Sequence, residues 1–532
     1  MKDLVHHLLQ GASPREWFLF LFFLFVLVLV HYSLTRFAAK RADRQQVNRR
    51  LPLSPMVLPI IGHLHLVGSI PHVCLRDLAR KHGPDLMLLR LGTVPTLIVS
   101  SPRAAEAVLR THDHILASRP HSVVADIMMY GMSDVGFAPY GEYWRKTRKL
   151  VTTHLLRAKK VQSFRSPCEE EVSIAMAKIN EAVATGSTVD MSELLSSFTN
   201  DIACRAISGK FFRKEGHNKL FQDLINDSTR LLGGFILEEY FLVLAKVSVL
   251  KWVVCSKAER MKKRWADLLE KVIDDHDSKD SVMSDKKEVA DFIDVLLSIQ
   301  QEYDLTREHI IAMLTDIFFG ATSTSSQTLE FTLVELVKRP HMMRKLQDEV
   351  RSNSIHRGEG AFSKVNQNNI IYLKAVIQES LRLHPVAPLL SPHLAMADCC
   401  IDGYTVLSGT QIFVNAWAIG RDASSWEDAD EFMPERFLDD DKAAHVNFKG
   451  NDFQFLPFGA GRRMCPGINF AVDNIEIMLA TLMYYFDWEL PQGLEPNDVD
   501  MTEVFGLTVR RREKLLLVPK LSSHLHGLDI AP

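Results

Sequence analysis

Between Trp17 and Tyr32 the chain reads WFLFLFFLFVLVLVHY, an apolar run with no charge inside it and the sharpest break in the pattern of hydrophobic and polar positions. A spanning helix needs about 20 such residues, and this run is slightly shorter, so a cleaved signal peptide competes with a membrane anchor. The flanks favour the anchor. Before the run Lys2 is offset by Asp3 and Arg15 by Glu16, whereas Arg36, Lys40, Arg41, Arg44, Arg49 and Arg50 follow it. Positive charge stays on the cytosolic side, which places everything after the run in the cytosol. Next comes LPLSPMVLPIIGHLHL, where Pro52, Pro55 and Pro59 stop any helix and stiffen the link to the body. The expected organisation is an anchor over 1–35, a basic, proline-rich hinge over 36–62 and a body over 63–532.

Within the body, helical segments mix with short β-rich runs such as Leu86 to Leu91 and Thr96 to Val99 until about Asn200. From Phe211 to about Leu383 the helical period dominates, and the charge-rich stretch Asp274 to Glu288 reads as an exposed loop. Strand signals return at Tyr404 to Val406 and Gln411 to Val414, and a last helix is expected from about Ile468 to Tyr485. No internal repeat and no second core with its own linker is visible. The predicted fold class is mainly α with minor β, one large body.

Composition narrows the function. With 47% hydrophobic and 24% charged residues, the 532-residue chain can bury a sizeable core. A net charge of -3 gives no field that favours nucleic acid, so a nucleic-acid partner is not expected. The seven cysteines are odd in number and scattered, unlike a disulfide or zinc framework, and a signal peptide would deliver them to an oxidising lumen.

The strongest chemical signal is FGAGRRMCPG, Phe458 to Gly467. Cys465 stands just before the helix expected from Ile468, whose N-terminal N–H groups and dipole favour a thiolate. Gly461 and Gly467 permit close approach to a flat cofactor, Phe458 can shield the sulfur, and Arg463 can meet an anionic group. For the cysteine alone, the plainer reading is a buried thiol in a glycine-rich turn.

At all five fixed positions the segment resembles the haem-binding signature of the cytochrome P-450 superfamily, Phe-x-x-Gly-x-Arg-x-Cys-x-Gly. Three further segments fall in the family's order. Glu379 and Arg382, in ESLR, lie three apart on one helix face; taken alone they suggest a surface ion pair of little worth. With Arg436, in PERF, the resemblance implies a Glu-Arg-Arg cluster bracing the loop that leads to the cysteine. Trp144 and Arg148, in WRKTR, match the pair directed at the haem propionates. FGATSTSS, Phe319 to Ser326, matches the helix crossing the oxygen side of the haem, with Thr324 where dioxygen would sit and a local opening for proton delivery. Taken by itself, it is a hydroxyl-rich patch that weakens a helix.

Two positions depart from the family pattern. Ser323 replaces the usual acid before Thr324, which bears on proton delivery, and His393 stands where plant members carry a propionate-binding arginine. FAPYGEYWR, AIGRDASSWEDADEFMPERF and PFGAGRRMCPG resemble the plant microsomal A-type group. That likeness implies a haem b monooxygenase with Cys465 as axial iron ligand. Its partners would be membrane lipid, O2, a lipophilic small molecule and an NADPH-cytochrome P-450 reductase carrying NADPH electrons. Arg145 and Lys149, four apart, offer a basic face to that reductase, although each is as readily a solvated charge. Segments matching the family's pocket walls, such as Val123 to Val135, Leu231 to Tyr240, Met313 to Thr324, Val386 to Leu390 and Val504 to Leu507, are mostly apolar; Phe235 and Phe505 are examples. The alternatives are a haem-thiolate isomerase or dehydratase, which Ser323 favours, and a haem sensor without turnover.

Overall fold

Leu86–Leu91 and Val94–Val99 pair antiparallel across a two-residue turn. Gly92 holds φ at 58° there, and a Cβ on it would come 2.3 Å from the Tyr240 carbonyl. Val94–Val99 then pairs in parallel with Gln411–Val414, which pairs antiparallel with His393–Leu394. This sheet carries His393 from the second half of the chain to the segment around Ala117 and Ser118, both bridged to Leu394. The computed structural model describes residues 50–209, 217–233, 237–241, 248–277, 290–353, 370–438 and 443–525. The expected anchor at Trp17 to Tyr32, the basic residues before Arg50, and Phe235 lie outside them. Among the described residues, no helix is long and apolar enough to cross a membrane.

Helices make up most of the structure, as expected, and the strands at Tyr404–Val406 and Gln411–Val414 and the helix Ile468–Tyr485 fall where the pattern puts them. The central run is Arg307–Ala321 followed by Ser323–Lys338, apolar around most of its circumference. Ile310, Leu314, Phe318, Leu329, Leu333 and Leu336 are all buried, the mark of a helix enclosed by others. Met191–Ser208 and Ile468–Tyr485 pack against its second half.

One expectation needs correction. Asp274 to Asp277 do not begin a loop; they complete the helix Ser248–Asp277. His276 is buried there, with Nε2 2.8 Å from Asp291 Oδ2, and it ties the helix end to the start of Phe292–Ser298. A local surplus of charge was outweighed by one buried pair.

Candidate functional site: a cysteine-floored pocket

The helices and the sheet enclose a cavity of about 310 Å³. Its floor is the cysteine loop, closed by Cys465 N–H donating to Phe458 O at 3.0 Å, immediately before the helix Ile468–Tyr485. The Cys465 side chain is exposed to the cavity. Burial raises its thiol above the ordinary range, while the Gly467 N–H and the Arg148 guanidinium favour the thiolate. The roof is the central helix. Its ladder is interrupted at Thr322, the residue between the two helices: Thr322 N–H donates to Phe318 O at 3.3 Å, and Ser326 N–H reaches Thr322 O only at 3.5 Å. Thr324 Oγ1 donates to Gly320 O at 2.7 Å. A Cβ on Gly320 would meet nothing within 4 Å, so this turn leaves open space above the floor. The helix is interrupted at Thr322, within the segment where an opening was expected.

On one wall Trp144 Nε1 donates to Val135 O at 3.0 Å and Arg148 Nη2 to Met464 O. Arg463 stacks over Trp144, 4.1 Å from the ring centre, and donates to the carbonyls of Ala117, Val135 and Ala138. Burial lowers its pKa first, and the neighbouring Arg119 guanidinium adds to this. His393 Nδ1 lies 2.9 Å from Leu116 O, which places the proton on that nitrogen. Burial and Arg119 push this imidazole down to about 3, so it is neutral, and its other nitrogen accepts rather than donates.

Arg119 is the guanidinium beside His393. It is buried, lines the cavity, and donates to Gly136 O, Ser391 O and Pro392 O at 2.8–2.9 Å. The sequence reading missed it, although a lone charge inside ILASRP was a readable signal. Asp316, another lone charge in an apolar stretch, was missed too. Its Oδ2 accepts the N–H groups of Val135 and Gly136 at 3.1 and 3.0 Å. Burial raises Asp316, and burial with the Asp316 charge raises Asp134 to about 8, so the two carboxyls resist joint ionisation.

Two expected site residues do other work. Gly461, at φ 68°, does not line the cavity; a Cβ there would come 2.1 Å from Leu109 O, so the glycine lets two backbones meet and serves no flat cofactor directly. Ser323 also lies off the cavity, its hydroxyl buried without a partner, while Ser325 and Thr328 line the cavity with Thr324. Phe458 and Gly467 do line it. Away from the pocket, Glu379, Arg382 and Arg436 form the expected cluster, and it is no surface pair. All three are buried. Arg382 Nε and Nη2 reach the Glu379 carboxylate at 2.7 and 2.8 Å, and Arg436 Nε reaches it at 3.0 Å.

An enclosed thiol at a helix start, three guanidinium groups along one edge and an open turn opposite suit a flat, dianionic, iron-bearing ligand. The cytochrome P450 family pattern matches residues 52–518. The chain belongs to that family. This P450 is 54% identical to indole-2-monooxygenase of Zea mays, over 91% of its own length and 90% of the relative's. Indolin-2-one monooxygenase of Zea mays is 49% identical, over 97% and 99%. A solved zebra fish cytochrome P450, determined with abiraterone, shares the fold at TM-score 0.69 and 24% identity, covering 86% of this chain and 100% of that one. This P450 is thus a haem-dependent monooxygenase of the plant type that oxidises a small molecule with O2 and electrons drawn from NADPH through a reductase. Nothing in these comparisons supports the isomerase or dehydratase alternative.

Proposed function

We propose that this P450 hydroxylates a small lipophilic nitrogen heterocycle of the indole type. The names of its relatives carry this reading: indole-2-monooxygenase, indolin-2-one monooxygenase and, at 45% identity, 3-hydroxyindolin-2-one monooxygenase. The largely apolar surface of the cavity suits such a ligand. Cys465 would hold the haem iron from below, and Arg119, Arg148 and Arg463 with Trp144 would hold its carboxylates. Bound there, haem supplies oxygen binding and reductive activation. The chain's own part is to orient the substrate, exclude water and deliver protons at the roof. With no carboxylate at position 323, the Thr324 and Ser325 hydroxyls are the groups that can pass a proton on from water.

Membranes containing the full chain and reductase, given indole or indolin-2-one, should yield a product carrying one atom from labelled O2. Thr324→Ala should lower product about tenfold or more while NADPH is still consumed and peroxide accumulates, the scale on which a proton-transfer group acts. If neither heterocycle is converted although the haem is reduced, the substrate reading fails.

The reductase would dock on the face of Glu142–Leu150 that carries Arg145 and Lys149, both exposed. Arg145→Glu with Lys149→Glu should slow haem reduction about tenfold at low salt and flatten its salt dependence, because rim charges act on encounter rate. An unchanged rate would make this ordinary surface. Upstream we propose the anchor over 1–35, the hinge over 36–62 and a cytosolic body over 63–532 on the endoplasmic reticulum. Resistance of the full chain to carbonate extraction tests this organisation. The exposed Leu53, Met56, Val57 and Ile60 of the hinge would lie along the membrane surface.

A further inference from the structure

A hairpin of only two residue pairs, Glu503–Val504 with Arg510–Arg511, carries the loop 505–509 beside the pocket. Alone it would be marginal, so its position is set by its ties to the body. Glu503 Oε2 lies 2.8 Å from Nε2 of the buried His72. Arg511, also buried, pairs with Glu330 at 3.2 Å. The loop donates from Val509 N–H to the carbonyl of Val386, a cavity residue, at 2.8 Å. Its tip abuts Gly233, where a Cβ would come 1.7 Å from Leu507 N.

Gln327 sits among these ties. With its amide oriented so that the nitrogen faces the surrounding oxygens, that nitrogen lies 2.9 Å from Val509 O, 3.1 Å from Thr508 Oγ1 and 3.2 Å from Ser323 O. Positions 323, 327 and 330 recur at helical spacing and form the face that meets the hairpin. Thr324 and Thr328, one step round the same helix, face the cavity. Ser323 is the first residue after the interruption at Thr322. A single amide thus touches both the loop beside the pocket and the turn that bears Thr324.

We propose that Gln327 is a positioning residue of the oxygenase reaction: it locks the loop 505–509 to the interrupted turn, so that a shift of the cavity residue Val386, passed to the loop through Val509, reaches Thr324. This depends on the family assignment and not on the indole reading. The test is amide hydrogen exchange on the haem-loaded full chain, which needs no substrate, in Gln327→Leu, Thr508→Val and the double variant. Each single change should speed exchange about five- to tenfold, the scale of one lost hydrogen bond, in both 504–510 and 323–326. The double variant should add nothing to the larger single effect. With reductase and NADPH, both single variants should also release more peroxide per NADPH consumed, a ratio that a plain strut leaves alone. Faster exchange in the loop alone, additive effects or an unchanged peroxide ratio would each overturn the proposal. Should Gln327→Leu fail to retain haem, Thr508→Val decides by itself, because it leaves the helix sequence intact.

Discussion

Cys465→Ser should abolish the red-shifted ferrous carbon monoxide band of this P450 and cut its turnover by far more than the roughly 10- to 100-fold that loss of a supporting group costs. The reason is the floor of the pocket. Cys465 is the thiol there, and Ser would present a hydroxyl that does not ionise under these conditions and is a poor iron ligand. Cys168→Ser and Cys204→Ser are the controls. Both thiols are buried in the apolar core, burial pushes both well up, and neither lines the cavity. Those two variants should keep the band. Retention of the band in Cys465→Ser would move the ligand elsewhere and remove the basis of the haem site.

Glu379→Ala should cost about 3–5 kcal/mol, enough to empty the protein of haem or unfold much of it at 37 °C. The carboxylate is the shared partner of two buried guanidinium groups and also accepts the Met433 N–H at 2.7 Å. Arg382 reaches on to the carbonyls of Gly420, Ala429 and Glu431, and Arg436 to that of Glu427. Removing the carboxylate therefore strands two charges and loosens the segment 420–433. The contrast is Glu435→Ala, which breaks the exposed Lys345 pair and should cost no more than about 1 kcal/mol. Haem content and thermal unfolding of the two variants, side by side, provide the measurement; a Glu379→Ala melt within about 1 kcal/mol of the parent would show the cluster to be dispensable.

The chemistry closest to the thiol was legible through the resemblance of whole segments to a family signature, since a cysteine before a helix and hydroxyls in an apolar helix each had a plainer reading alone. The strands were legible from short alternating runs. What stayed hidden depends on contacts between distant residues. Arg119 and His393 are adjacent only because Leu394 bridges Ala117 and Ser118, a pairing that no window of sequence shows. Gly461 looked like a cofactor glycine because its neighbour across the gap, Leu109, is far away in the chain. The Glu379 cluster was legible in composition and not in burial: three residues at helical and remote spacing look identical whether water or backbone carbonyls surround them. The helix end at Asp277 was misplaced for a related reason, since one His–Asp pair outweighs four residues of local polarity.

The parallel pairing of Val94–Val99 with Gln411–Val414 has a consequence in time. The two strands are separated by more than three hundred residues. At the usual 5–20 residues per second of synthesis, the first waits roughly 15–60 seconds for the second to emerge. Through that interval Leu97, Ile98 and Val99, fully buried in the finished protein, have a bondable edge and no neighbour on that side. The nascent chain is therefore most vulnerable to aggregation before the haem pocket can exist, and slowing translation after residue 100 should lower the yield of this P450 more than slowing it after residue 415.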